Sequence, residues 1–589
     1  MEFIAHNLAP IMFAGLICFL LVGFPVAFSL GACGLFFAFI GIELNVLPEA
    51  LLQALPLRIY GIMQNDTLLA IPFFTLMGLI LERSGMAEDL LDTIGQLFGP
   101  IRGGLALAVI FVGALLAATT GVVAASVISM GLISLPIMLR YGYDRRLAAG
   151  VIAASGTLAQ IIPPSLVLII IADQLGRSVG DMYKGAFLPG LMLTGFYASY
   201  VILLAVIKPQ WVPAMPPEAR TLREDNGKSG VPSLLVLTAI CTAASIYVAK
   251  NMPALHTWWS GEAVDKVALD ETIVVSMCFG VALAFVAASF NKITRLGLLS
   301  RAAERVTFAL IPPLLLIFLV LGTIFLGVAT PTEGGAMGAL GAIVMAVIRG
   351  RLSMSLLTQA LNTTTKLSCF VVFILVGATI FGLTFQGVDG PLWVEHLLSG
   401  LPGGQLGFLI VVNIMVFFLA FFLDFFELSF IVVPLLAPVA DKLGIDLIWF
   451  GVLLAINMQT SFMHPPFGFA LFYLRSVAPA KEYMDKVTKK MIAPVTTTQI
   501  YWGAIPFLCI QILMVVLVIT FPGIVSSGLD KAEVYDLDKV RLEMEANMPA
   551  PMEQADPTAG MPGSEAPAAE DDPLKAMQES LSQDAEKKN

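Results

Sequence analysis

Charge is the scarcest chemistry in this sequence: Asp, Glu, Lys and Arg make up 13% of its 589 residues, about half the ~25% of an ordinary soluble domain. A chain that is 58% hydrophobic has too little polar surface to cover itself in water, so a lipid bilayer is its expected solvent. Cysteine is sparse as well. Cys18, Cys33, Cys241, Cys278, Cys369 and Cys509 stand singly in apolar stretches, without a CxxC spacing or a nearby histidine cluster, which reads as buried thiols and not as a disulfide framework or metal site. No Lys or Arg precedes Arg58, so the basic flank of a secretory signal peptide is missing and the first hydrophobic segment is expected to stay. No GxxxxGK[ST] is present, which speaks against ATP hydrolysis by this chain. No nucleophile sits beside a base and no metal ligands cluster, which argues against a membrane-embedded enzyme.

Hydrophobic runs take the place of what is absent. Uncharged stretches such as Ile11 to Ile42, Leu105 to Leu139 and Ile505 to Phe521 exceed or approach the ~20 residues that cross a bilayer as a helix. They lack the period-two alternation of a membrane barrel, so the backbone must pair within helices. The expected fold is an all-α integral membrane bundle of about 11–13 hydrophobic helices. The acidity is local: residues 524 to 589 hold 15 Asp and Glu against 6 Lys and Arg, leaving the rest near neutral. From about Ala546 this tail is rich in Pro, Ala, Glu and Asp, a composition that cannot bury a core and is expected to be a solvated, disordered extension.

Shifting the chain against itself by 302 residues aligns its punctuation without a gap. Pro136, Gly142 and Asp144 meet Pro438, Gly444 and Asp446; Pro163 and Pro164 meet Pro465 and Pro466; Gly85 meets Gly387 and Pro100 meets Pro402. A constant offset over so many residues points to duplication. The expected organisation is a first repeat over 1–207, a polar linker with extra hydrophobic helices over 208–300, a second repeat over 301–523 and the tail. The extra helix, Val267 to Ser289, either changes the number of crossings or pairs with Val231 to Val248. Loop charges orient the halves. Arg140, Arg145 and Arg146 outweigh Asp144, whereas the equivalent 442–448 carries only Lys442 against Asp446; residues 173–188 are balanced, whereas the equivalent 475–490 carries Arg475, Lys481, Lys486, Lys489 and Lys490 against two acids. Equivalent loops therefore face opposite sides, the mark of an inverted repeat. That arrangement favours alternating access over a channel, for which no ring-forming filter motif is visible.

Inverted repeats place substrate and ions where helices are broken. Ile161-Ile162-Pro163-Pro164-Ser165 and Met463-His464-Pro465-Pro466-Phe467 interrupt apolar runs at matching places, and each proline frees a carbonyl oxygen that can bind a dehydrated cation. Ala118-Thr119-Thr120-Gly121 and Gly327-Val328-Ala329-Thr330-Pro331-Thr332-Glu333 are small and hydroxylated, suited either to backbone approach of a ligand or to close helix packing. Asp424 and Glu427, three apart in FFLDFFELSF, share a helix face. They either line an aqueous path, bind a cation or proton, or cap a hairpin at the membrane surface. Of four histidines only His464 stands in a break.

At these motifs the chain resembles the DctM-type large permease subunit of TRAP (tripartite ATP-independent periplasmic) transporters. The resemblance rests on Ile71-Pro72-Phe73-Phe74-Thr75-Leu76-Met77-Gly78 with Ser84-Gly85, Gly103-Gly104, Tyr141-Gly142-Tyr143-Asp144, Ile162-Pro163-Pro164-Ser165, Thr330-Pro331-Thr332-Glu333 and Pro465-Pro466-Phe467-Gly468. It implies a multi-pass protein of the bacterial inner membrane that imports small organic anions on a sodium gradient. The implied partners are a separate four-helix small membrane subunit and a periplasmic substrate-binding protein, with no nucleic acid involved. The implied fold is that of the ion transporter superfamily: two re-entrant hairpins and adjoining broken helices slide as an elevator against a scaffold. Carried over, one cation site takes Thr120, Gly121, Ala159, Ile162 and Pro164, and the other Gly327, Ser461, His464 and Phe467. Thr119, Pro163, Ser165, Thr330, Thr332, Asp424, Glu427, Pro465 and Pro466 would line the transport path. No cofactor is implied beyond the coupling cation. Two departures stand out: the family's Ser-Gly-Ser-Ser reads Thr120-Gly121-Val122-Val123, and its Thr-Pro-Pro reads His464-Pro465-Pro466. The second opens the alternative of a proton-coupled anion transporter of related fold that works without a binding protein. The extra helix resembles the longer family branch associated with keto acids, lactate and aromatic carboxylates.

Overall fold

The computed structural model describes residues 2–222, 230–261, 267, 269–295, 297–485, 487–527 and 529; nearly all of the expected acidic tail lies outside them. Among the described residues the fold is helical apart from one β-hairpin, β1 (Tyr483–Met484) with β2 (Met491–Ile492). Nine helices among the described residues are long and apolar enough to span a bilayer, or eleven if each of two bent pairs forms one span.

The first half runs through α1 (Leu8–Leu21), α2 (Val26–Glu43), α3 (Leu55–Met63), α4 (Ala70–Arg83), α5 (Met86–Phe98), α6 (Gly104–Thr120), α7 (Val123–Arg140), α8 (Arg145–Thr157), α9 (Leu166–Gln174) and α10 (Val179–Ile207). Then α11 (Val231–Lys250) and α12 (Leu269–Thr294) pair with each other and pack on the next helix, so the extra segment is the second arm of a helical hairpin. The second half comprises α13 (Arg301–Phe325), α14 (Pro331–Ile348), α15 (Met354–Gly387), α16 (Gly390–Ser399), α17 (Gly404–Leu419), α18 (Phe425–Lys442), α19 (Leu447–Met463), α20 (Phe469–Val477) and α21 (Thr497–Thr520). Adding 302 to the bounds of α7 reproduces those of α18. The same shift lays α1 on α13, α2 on α14, α3 with α4 on α15, α5 on α16, α6 on α17, α8 on α19, α9 on α20 and the C-terminal part of α10 on the start of α21. Local chemistry repeats too: the Asp144 side chain accepts the Arg146 and Leu147 amides at the start of α8, and Asp446 accepts that of Trp449 at the start of α19.

Packing is reciprocal between halves: α2 lies on α15 as α14 lies on α4, and α8 lies on α21 as α19 lies on α10. Helices α8 and α19 are buried on nearly every side, as expected of helices that are interior and not merely amphipathic. The two helices α8 and α21 meet at Gly150 and Gly503: a Cβ on Gly150 would sit 2.1 Å from the Gly503 carbonyl oxygen, and one on Gly503 2.0 Å from that of Arg146, so only glycine lets them meet there.

Polar ties at the membrane faces fix the relative direction of the halves. Arg140, at the end of α7, forks onto Asp485 in the segment after α20, with Nε to Oδ1 and Oδ2 at 3.0 and 3.1 Å. Asp485 is only 3% exposed. Burial works against its charge, but the Thr488 amide and hydroxyl and the Arg140 guanidinium hold its carboxyl down to about 2. On the other face Arg177, just after α9, lies 3.9 Å from Asp441 near the end of α18, and Lys442 pairs with Glu395. The end of α7 thus shares a face with the end of α20, while the end of α18 shares the opposite face with the end of α9. Because α7 corresponds to α18 and α9 to α20, the repeat is inverted, as the loop charges indicate.

Candidate transport site

Two places combine a helix break with the tip of a hairpin. In the first half α8 passes through a short 3-10 turn, Leu158–Gln160, before Pro163-Pro164 and α9. Pro163 and Pro164 have no amide to offer the carbonyls of Ala159 and Gln160 four residues back. Gln160 is compensated by the Ser165 hydroxyl, which donates to its carbonyl at 2.6 Å; Ala159 loses its helical partner. The Ile162 amide turns back to Leu158 at 3.0 Å, and the Pro163–Pro164 peptide is cis. The hairpin of α6 and α7 brings its tip here. Gly121 ends α6 at φ +59, and a Cβ on it would lie 3.2 Å from Leu166 Cγ and 3.6 Å from the Pro164 carbonyl oxygen. Thr119 is buried and donates to the Leu116 carbonyl at 2.9 Å; the Thr120 side chain lies outside the described residues. The expected first set, Gly121, Ala159, Ile162 and Pro164 with Ser165, therefore occupies one neighbourhood of tip and break.

In the second half Pro465 and Pro466, again joined by a cis peptide, deprive the Ser461 and Phe462 carbonyls of their partners. The Ser461 carbonyl receives the His464 amide at a long 3.4 Å, and the Gly468 amide donates to the His464 carbonyl at 2.7 Å. The Ser461 hydroxyl donates back to Met458 at 2.6 Å. Over this break lies the tip between α17 and α18. The His464 ring stacks on Phe421 at 4.4 Å between centroids and meets Phe417 edge-on at 5.4 Å, and Phe467 stacks on Phe421 at 5.6 Å. Nδ1 of His464 is buried without a partner among the described residues.

Asp424 and Glu427 form a capping box at the start of α18. The Phe426 and Glu427 amides donate to Asp424 Oδ1 at 2.6 and 3.3 Å, and the Asp424 amide donates to Glu427 Oε2 at 2.9 Å. The pair thus caps the helix that follows the hairpin tip. Gly327 is not brought to Ser461, His464 and Phe467. It follows the end of α13 and lines a cavity with Asp173, Arg177, Ser178, Thr67 and Pro331. Thr330 and Thr332 belong there too: Thr330 forms a capping box with Glu333, and the Thr332 hydroxyl donates to the Asp66 carbonyl at 2.6 Å. The physical reason is the repeat register, which makes Phe422 and Leu423, not residues near 327, the counterparts of Thr120 and Gly121.

A polar cluster between the two breaks escapes sequence reasoning. Gln459 Nε2 donates to Thr157 Oγ1 at 3.1 Å, and Gln511 Nε2 donates to the same hydroxyl at 3.4 Å and to Tyr197 Oη at 2.9 Å. Thr157 and Gln459 are 302 residues apart, so a residue touches its own repeat counterpart. Such a contact marks the pseudo-two-fold axis. A threonine and a glutamine, unlike paired prolines, give a sequence no reason to single them out.

A helical, bilayer-spanning chain with two oppositely directed breaks, each covered by a hairpin tip, is a multi-pass membrane transport protein. The chain belongs to the TRAP large permease family: the family model "Tripartite ATP-independent periplasmic transporter, DctM component" matches residues 13–264 and 267–524. It is 27% identical over 481 residues to the C4-dicarboxylate TRAP transporter large permease protein DctM of Rhodobacter capsulatus, covering 79% of this chain and 89% of that one. It is 26% identical to the isethionate TRAP transporter permease protein DctMQ of Oleidesulfovibrio alaskensis, over 82% of this chain and 63% of that protein. It is 23% identical to the sialic acid TRAP transporter permease protein SiaT of Haemophilus influenzae, over 78% and 59% respectively. Among solved structures it resembles the Alcanivorax borkumensis YdaH transporter with a TM-score of 0.46 and 13% identity, over 80% of this chain and 88% of that one. These relatives are permeases, and this chain is a transport subunit and not an enzyme.

Proposed function

We propose that this chain is the large membrane subunit of a cation-driven importer of small organic anions. The observation that carries the reading is the meeting of a hairpin tip with a proline-broken helix in each inverted half. Each meeting sets carbonyls without an amide partner among the described residues, Ala159 on one side and Phe462 on the other, beside a hairpin loop. Backbone carbonyls in a dry interior are sodium ligands by charge and size, and sodium is the coupling ion of this reading. The face bearing Arg140, Arg145 and Arg146 is cytoplasmic by the positive-inside rule. The opposite face is then periplasmic, where a binding protein delivers substrate, and the membrane is the bacterial inner membrane. The two hairpins and the two broken helices form the moving body, an elevator against the remaining helices. The small subunit is a separate polypeptide in this reading; the relatives named DctM and DctMQ support both separate and fused arrangements across the family.

One observation favours a second reading. His464 stands at the second break with Nδ1 buried and without a partner among the described residues, a group able to carry a proton in place of a hydroxyl that ligates sodium. The deciding experiment reconstitutes the chain with its small subunit and binding protein in liposomes and measures carboxylate uptake under separate sodium and proton gradients. The expected result is uptake driven by sodium. Uptake driven only by protons supports the second reading, and uptake indifferent to both gradients overturns coupled transport.

A further inference from the structure

A cavity of about 340 Å³ opens between α3, α9, α15 and α18 on the arginine-poor face, reached by Gln174 at the end of α9 and Pro438 near the end of α18. Its volume suits a small organic molecule. Its walls are apolar except for Arg58, Gln174, Thr379 and Gln386, and no acidic residue lines it. Arg58 Nη2 donates to Gln386 Oε1 at 3.1 Å, one bond from a guanidinium that carries five N–H donors. Among the described residues no carboxylate pairs with Arg58. Arg58 is exposed at the edge of the cavity, on a helix with no buried residue, so its guanidinium is open to an anion that enters from the arginine-poor face.

The opening is one-sided. Thr379, Gly382 and Gln386 of α15 are half-buried or exposed along the cavity. Their repeat counterparts on α4 are Met77, Ile80 and Ser84, which are 2%, 0% and 3% exposed. The equivalent α4 surface is thus packed shut toward the arginine-rich face, while the α15 surface is open toward the other. The cavity also adjoins α18 and α9, which belong to a hairpin and a broken helix, so its walls come from both bodies of the reading given above.

We infer that Arg58 and this cavity form an entry site for the carboxylate group of the substrate, occupied before the substrate reaches the hairpin tips. The inference rests on the organic-anion reading. A guanidinium presents a planar fork matched to a carboxylate, Gln174, Thr379 and Gln386 supply neutral hydrogen bonds, and the apolar wall from Phe381, Phe385 and Phe430 receives the carbon skeleton.

The test uses the chain with its small subunit in nanodiscs. Thermal stabilisation by lactate, pyruvate, succinate and benzoate selects a probe, whose uptake is then measured in liposomes with the binding protein present. Arg58→Gln is expected to raise KM about tenfold or more, the loss of one charge-assisted contact, while leaving the cation activation midpoint and ligand-free melting temperature near wild type; Arg58→Lys recovers part of the loss. Arg58→Cys adds a readout that a mere tie between α3 and α15 would not move. A cationic aminoethyl methanethiosulfonate should lower KM and an anionic sulfonatoethyl reagent should raise it, with treated wild type as control because Cys18, Cys369 and Cys509 are also exposed. Wild-type KM in Arg58→Gln, or equal responses to the two reagents, overturns the entry site and leaves the carrier reading standing. Failure of all four carboxylates to stabilise or cross with the wild-type complex overturns both.

Discussion

The two hairpin tips occupy equivalent places in one repeated fold and are built in opposite ways. At the first tip the residue before α7 is Val122, which offers no side-chain cap, and the turn is made by Gly121 beside the Pro164 carbonyl. At the second, the counterpart of Val122 is Asp424, whose capping box with Glu427 satisfies the amides of α18, and Phe421 stacks on His464 and Phe467. The bases differ as well: Arg140 grips a buried Asp485, whereas Lys442 meets Glu395 with its side chain 66% exposed. Duplication preserved the helix path because packing of α2 on α15 and α14 on α4 demands it. It did not preserve the chemistry of the tips, where one loop relies on backbone and neighbours and the other closes on its own side chains.

The largest expected effect tests the bases. Asp485→Asn should destabilise the protein by about 3 kcal/mol by breaking a buried, forked pair, read as a fall in melting temperature. Because Asp485 is held down to about 2 when folded against an unfolded value near 3.9, its contribution is complete above about pH 4 and is lost as pH falls toward 2; the gap between variant and wild type should close over that window. Gly121→Ala places a side chain at positive φ against Leu166, a cost of about 1–2 kcal/mol. It should slow cation-dependent uptake about tenfold, whereas Leu423→Ala at the counterpart should change it less than about twofold. Equal losses at both would erase the contrast between tips. Removing the cap with Asp424→Ala should cost about 1 kcal/mol, and installing one with Val122→Asp should return about as much; thermal melts of the four-way set of single and double variants measure whether the tips are independent. His464→Thr, which restores a hydroxyl at the second break, should sharpen sodium activation by about two- to threefold, read from uptake against sodium concentration. Lys442→Ala should stay within about 0.5 kcal/mol of wild type, as exposed ion pairs do, and a larger loss would show that both bases are clamped alike.

Much of this fold is legible in the sequence because it is written in residues with few other uses. Paired prolines, Gly142 and Gly444, and the arginines after α7 each report a backbone event or a membrane face, and the offset of 302 ties them together. Applied without exception, that offset also leads to Phe422 and Leu423 as the second tip; the hydroxyl-rich Thr330-Pro331-Thr332 run draws attention to Gly327 because small polar residues serve equally at a ligand, a helix cap or a turn. The Phe421 stack on His464 and the cavity at Arg58 depend on tertiary neighbours that have no periodicity, so no reading of one strand of sequence reaches them. The pairing of α11 with α12 was one of two open outcomes because an apolar helix looks the same against a partner as against lipid.

The shared hydroxyl of Thr157 has a consequence for how the two halves can diverge. Residues away from the axis have separate surroundings, so each copy drifts on its own, as the tips have done. Thr157 and Gln459 descend from one ancestral position yet now form opposite ends of a single bond. A change in either is answered by its own sibling, and heredity at this point acts on the pair.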